Sequence, residues 1–158
     1  MTKFSTIKKV LDEKKIDFES DECVQKPKNL QNYIYSVLHQ NVLDFEWEIE
    51  ARKGLNGDKF DIYGISNDSQ VIVEFDNSRA DQVAKKFISR IASATQKDNV
   101  KTLYVIYNYS NYNKSWKEQV VETKKYIKYC KHIGNEVGID VVDYHTLDLD
   151  CFWEDSRD

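Results

Sequence analysis

Apolar positions along this chain follow two periods. Phe4, Ile7, Val10 and Leu11 recur at helical spacing around Ser5, a residue type that caps helix starts. Residues 17–29 hold the single proline, Pro27, and predict a loop. Asn29 then opens a second helix, with Leu30, Tyr33, Ile34, Val37 and Leu38 on one face. The period drops to two at Phe45. Phe45, Trp47, Ile49 and Ala51 alternate with Glu46, Glu48, Glu50 and Arg52, which predicts a half-buried strand. Gly54 and Gly57 in KGLNGD mark a turn. Two short apolar strands follow, at 60–66 and 71–76, joined through Asn67 and Asp68. A helix is expected over 78–94, and the run LYVIY at 103–107 reads as a strand buried on both faces. A long helix over 115–133 and a strand at 139–143 complete the series.

The order helix, helix, three strands, helix, strand, helix, strand predicts a mixed α/β fold. Its centre would be a mixed sheet containing an antiparallel three-strand meander, flanked by helices. One domain is expected over 1–158. It would comprise an N-terminal helix and loop at 1–28, a core at 29–144 and an acidic tail at 145–158.

Composition narrows the function classes. No apolar run reaches the ~18 residues of a membrane span, and the first residues carry acids rather than an export signal. Cys23, Cys130 and Cys151 are too scattered for a metal knuckle or a disulfide framework, which predicts reduced thiols and a cytoplasmic protein. Phosphate-loop and dinucleotide-loop glycine patterns are absent, and His39, His132 and His145 stand apart from one another. The net charge of −4 conceals an asymmetry. Residues 140–158 carry seven acids and one arginine, so the preceding 139 residues are net positive by two.

Within that body, two acids stand in apolar strands: Asp61 in FDIY and Glu74 in VIVEF. Ionised groups in such runs are costly unless paired, hydrogen-bonded or bound to metal. Asp76 shares a strand face with Glu74, two residues away. A hard divalent cation, Mg²⁺ or Mn²⁺, would relieve the repulsion among three carboxylates. The plain alternative is that the acids lie at strand ends in water, or pair with Arg52, Lys59 or Arg79.

The run KFDIYG, six linking residues, VIVEFD and a following helix resemble the restriction-endonuclease-like nuclease superfamily, PD-(D/E)xK, over residues 29–109. The resemblance implies a core of one helix, a three-strand meander, a helix and a further strand. It also implies metal ligation by Asp61 and Glu74, with the Phe75 carbonyl as an added ligand. The sequence departs from the pattern twice. Asp76 stands where the superfamily has lysine, and Phe60 precedes Asp61 where it has proline. In some members the basic residue migrates onto the following helix.

That helix offers candidates. At ~100° per residue, Ala80, Val83, Ala84, Phe87 and Ile91 form the apolar stripe. Arg79, Gln82, Lys86 and Arg90 lie along one border of it, whereas Lys85 points away. A border side chain can reach over the sheet toward the acids, which favours Lys86, with Gln82 one turn before it. The helix over 115–133 carries a one-sided ladder of Lys114, Lys117, Lys124, Lys125, Lys128 and Lys131 beside a core stripe of Val120, Ile127 and Cys130. Such a ladder suits a phosphate backbone, and equally a solvated face. Tyr107, Tyr109 and Tyr112 can stack on bases or simply pack.

The expected function is therefore a Mg²⁺- or Mn²⁺-dependent nuclease acting on nucleic acid, DNA ahead of RNA. Asp61, Glu74 and Asp76 would hold the metal, and Lys86 with Gln82 would assist the chemistry. Arg79, Arg90, Lys117, Lys124, Lys128 and Lys131 would contact the backbone. Cutting both strands would require a homodimer or a larger nuclease system. The alternative is a nuclease-like module that binds nucleic acid or protein without cutting, for which Asp76 in place of lysine is the best support. A third reading has the acidic end, with Phe152 and Trp153, docking a partner.

Overall fold

The computed structural model describes residues 3–20, 27–77, 80–94, 99–109 and 116–145. The early helical pattern gives α1 (Lys3–Ser20) and α2 (Pro27–Asn41). Residues 17–20 and 27–29 of the expected loop are thus helical. Pro27 stands at the start of α2, where its missing N–H has no helical partner to lose and its fixed φ suits the first turn. The strands are β1 (Glu46–Ala51), β2 (Phe60–Ile65), β3 (Ser69–Asn77), β4 (Lys101–Tyr109) and β5 (Ile139–His145). Between them lie α3 (Ala80–Ala94) and α4 (Trp116–Val137).

The fold is mixed α/β, with a five-stranded sheet in the order β1-β2-β3-β4-β5. β1 with β2 and β2 with β3 pair antiparallel. The meander stops there: β3 with β4 and β4 with β5 pair parallel, each joined through a helix. Short polar turns permit the antiparallel half, whereas parallel neighbours need a crossover. Strand β4 carries the LYVIY run, and Leu103, Tyr104, Val105, Ile106 and Tyr107 are all buried.

Two cores follow from the alternation of side chains. Ile7 and Leu11 of α1 and Leu30, Ile34 and Leu38 of α2 cover one face, against Ile62, Val71, Val73, Phe75, Leu103, Val105 and Tyr107. The N-terminal helix is therefore part of the core. Val83 and Phe87 of α3 and Ile127 and Cys130 of α4 cover the other face, against Tyr63, Ile72, Tyr104 and Ile106. Cys130 is a buried free thiol, raised to about 11 by burial first, with the charge of Asp76 adding to it. Tyr107 is stacked between Phe75 and Tyr144, with centroids 5.1 Å away on each side, so it packs and offers no face to a base.

One expected pattern breaks inside β1. The alternation placed Trp47 and Ala51 on the same face, yet Trp47 joins the α1/α2 core and Ala51 the α3/α4 core. Glu50 between them has φ 51°, a left-handed conformation that reverses the alternation. Phe60, paired with Ala51, turns with it toward α3.

Trp47 makes the tightest demand on sequence. Its indole N–H donates to the Val42 carbonyl at 2.9 Å, and its ring lies over Gly64, its partner on β2. A Cβ on Gly64 would stand 2.4 Å from the ring. Gly64→Ala should therefore destabilise the fold by about 1–3 kcal/mol, read as a lower denaturation midpoint in urea at unchanged slope.

Candidate active site

The β2–β3 ladder runs from Ile65–Gln70 to Ile62–Val73. At the next step side chains take its place. The Phe75 N–H donates to Asp61 Oδ2 at 2.8 Å, and the Asp61 N–H donates to Glu74 Oε2 at 3.3 Å. Both acids lie on the face of Tyr63 and Ile72, toward α3 and α4, because side chains two residues apart in a strand share a face. Asp76 follows on that face at the carboxyl end of β3. On the α2 side, Gln31 Nε2 donates to the Asp61 carbonyl at 3.2 Å and helps fix the end of β2.

The cluster is dry. Glu74 is 0% exposed and Asp76 1% exposed. Two cations from α3 meet it. Lys86 Nζ donates to the Phe75 carbonyl at 3.0 Å and lies 3.0 Å from Asp76 Oδ1 and 3.8 Å from Asp61 Oδ2. The Asp76 contact is an ion pair without hydrogen-bond alignment. Both Asp76 oxygens therefore lack a hydrogen-bond partner among the described residues. Arg90 Nε pairs with Glu74 Oε1. Arg90 is also held by the Lys59 carbonyl at 2.8 Å and Ser89 Oγ at 2.6 Å, and its guanidinium stands 5.6 Å over the Phe60 ring. Three carboxylates thus face two cations, leaving one negative charge over.

Burial and that excess set the protonation. Burial pushes the Glu74 carboxyl well above its usual range, and the Asp61 charge and a hydrogen bond with Asp61 add to it. Arg90 and Lys86 oppose without prevailing. Asp76 is raised by burial, against the pull of Lys86. For Lys86, burial acts to lower the ammonium, but the charges of Asp76, Asp61 and Glu74 outweigh it and hold it above its ordinary value.

The structure brings together Asp61, Glu74, Asp76 and Lys86 from the sequence reading. It places Arg90 with them, rather than on an outward flank. The helical wheel set Arg90 on the right border but could not show that Phe60 and the Lys59 carbonyl turn it inward. Among the described residues Glu74 pairs with Arg90 rather than with Arg52 or Lys59, two of the partners considered for the acids. Arg52, one of them, donates to the Gly57 carbonyl instead. Gln82 is half-buried one turn before Lys86, and no described hydrogen bond ties it to the acids. Lys85 is exposed, as the wheel implies.

On α4, Lys124, Lys125, Lys128 and Lys131 are exposed, and Lys131 pairs with Asp143 of β5. Lys131 is thus partly neutralised rather than a free backbone contact. Arg79, Lys114, Tyr112 and the acidic end at 146–158 lie outside the described residues, as do the side chains of Lys117, Tyr109 and Val120.

A metal finds hard oxygen donors here: the carboxylates of Asp61 and Asp76 and the Phe75 carbonyl, the chemistry Mg²⁺ prefers. Asp76, almost wholly buried, has the Lys86 ammonium at 3.0 Å from Oδ1 as its counter-charge. The residues are not gathered as a ready cage, however. Among the described residues no three Asp, Glu, His or Cys side chains are grouped to hold a metal. Both Glu74 oxygens are engaged, and Lys86 stands between Asp61 and Asp76. Comparison with family models, with curated proteins and with solved structures finds no match to this chain.

Two expectations follow from the charges. Arg90→Met would deprive buried Glu74 of a hydrogen-bond partner and should cost about 1–3 kcal/mol, measured by chemical denaturation. The folded Glu74 carboxyl titrates above its ordinary 4.5, so the folded protein keeps a proton that the unfolded chain has released. Its contribution to stability is complete below that ordinary value and is lost as pH rises through the folded one. Melting temperatures followed upward from pH 4.5 should fall in the wild type and fall less steeply in Glu74→Gln. A residual slope of the same sign should remain from Asp76.

Proposed function

We propose that this chain is a metal-dependent phosphodiesterase acting on nucleic acid, DNA ahead of RNA, with a restriction-endonuclease-like core. The observation that carries the reading is the convergence of Asp61, Glu74 and Asp76 on one face where the β2–β3 ladder gives way, with Lys86 reaching them from α3. The element order α2, β1–β2–β3, α3, β4 agrees with the core that the resemblance implies. The acids also lie at the carboxyl end of β3, where open sheets with parallel strands present their ligand sites.

Asp61, Asp76 and the Phe75 carbonyl would hold the ion, with Glu74 adjoining. A bound divalent ion supplies a more acidic water and a counter-charge for the phosphate. Lys86 would offset negative charge on the phosphate oxygens. Arg90 keeps Glu74 in place from the side away from Asp61. Lys124, Lys125 and Lys128, exposed on α4, would hold the backbone without reading sequence. Cutting both strands would need two copies of the chain or a larger assembly. Among the described residues no helix is long and apolar enough to cross a membrane.

A second reading is a module that binds nucleic acid or protein without cutting. What favours it is the engagement of both Glu74 oxygens together with cations already set among the acids. Incubation with plasmid, single-stranded DNA and RNA in Mg²⁺ or Mn²⁺ separates the two. Cleavage by the wild type, reduced at least a hundredfold in Asp61→Asn and in Lys86→Ala, is the expected result. A folded wild type that binds DNA and cuts none of the three substrates would establish the second reading.

A further inference from the structure

The oxygens assigned to the metal already hold a cation. Lys86 Nζ stands 3.0 Å from the Phe75 carbonyl, 3.0 Å from Asp76 Oδ1 and 3.8 Å from Asp61 Oδ2. These are the donors that a divalent ion would take under the proposed function, on which this inference rests. A hard ion needs such oxygens at about 2.1 Å. An ammonium in their midst would then be pressed against a double positive charge in a poorly screened site.

The two cations of the cluster are held very differently. Arg90 is 13% exposed and fixed by Glu74, the Lys59 carbonyl, Ser89 and the Phe60 ring. Lys86 is 28% exposed on a flexible four-carbon stem, and its hydrogen bond in the cage goes to one carbonyl. Its contact with Asp76, almost wholly buried, is an ion pair at 3.0 Å to Oδ1. Arg90 is thus tied at four points, whereas Lys86 is held by charge at the end of a stem that keeps part of its surface in solvent.

We propose that Lys86 is a displaceable stand-in for the divalent ion. Its ammonium fills the cage of Asp61, Asp76 and the Phe75 carbonyl in the ion-free protein. Entry of the ion expels it to the outer side, where its charge can meet a phosphate. The lysine thus keeps the acids from repelling one another before loading and is delivered toward substrate by loading. In this role Lys86 also competes with the metal, so ion affinity is weaker than the donor set alone would give.

Two measurements decide it. Calorimetric titration with MgCl₂ and MnCl₂ should show Lys86→Met binding the ion roughly tenfold tighter than the wild type, or binding where the wild type shows none. Amine acylation of the wild type, followed by mass spectrometry, should show Lys86 reacting severalfold faster with the ion present, while Lys124 is unchanged. If the wild type binds the ion, and Lys86→Met binds no tighter with Lys86 labelling unaltered, the displacement is wrong and the metal site stands. If neither protein takes up the ion, the metal reading itself fails, and the displacement fails with it. Should Lys86→Met not fold, labelling of the wild type decides alone, since it needs no substitution.

Discussion

Three carboxylates, two of them cut off from water, share a site with two cations, and the end of the sheet is arranged around that imbalance. In water, Asp61, Glu74 and Asp76 would cost little. Inside the fold each must find hydrogen bonds, a cation or a proton. Asp61 and Glu74 find part of what they need in the backbone, because each accepts an N–H from the other's strand. The acids thereby become the last rung of the β2–β3 pairing. Removing one of them would unpair a strand end as well as change a charge. This is why the cluster reads as architecture and as chemistry together.

The cations divide the work. Arg90, planar and always charged, is clamped against Glu74 and rests on Phe60, a seat that the left-handed turn at Glu50 helps to orient. Lys86 serves Asp61 and Asp76 with a point charge on a long stem. A nuclease-like fold that had given up chemistry could keep the first arrangement for stability alone. The second leaves Lys86 a partly exposed cation between two aspartates, one of them almost wholly buried.

The sequence made much of this legible because periodicity reports burial. The LYVIY run, the helical spacing of Leu30 to Leu38 and the border position of Lys86 each follow from which residues must avoid water. Asp61 and Glu74 stood out for the same reason, as acids among apolar neighbours. What escaped depended on geometry beyond a single element. The inward turn of Arg90 needs Phe60 and the Lys59 carbonyl from another strand. The switch of Ala51 to the opposite face needs an unusual φ at Glu50, a residue type with no special claim to it. The burial of Tyr107 between Phe75 and Tyr144 depends on strand order, which local pattern does not encode.

The mixed pairing of the sheet also orders events in time. The antiparallel strands β1, β2 and β3 are joined by short connections, so bringing them together sacrifices little chain entropy. The parallel partners wait for α3 and α4 to cross the sheet, a slower search through more distant contacts. Asp61 and Glu74 belong to the local β2–β3 pairing, while Lys86 and Arg90 come from the first crossover helix. In the β2–β3 pairing alone the acids stand in water and cost little, so the helix that takes this water away is also the one that supplies Lys86 and Arg90.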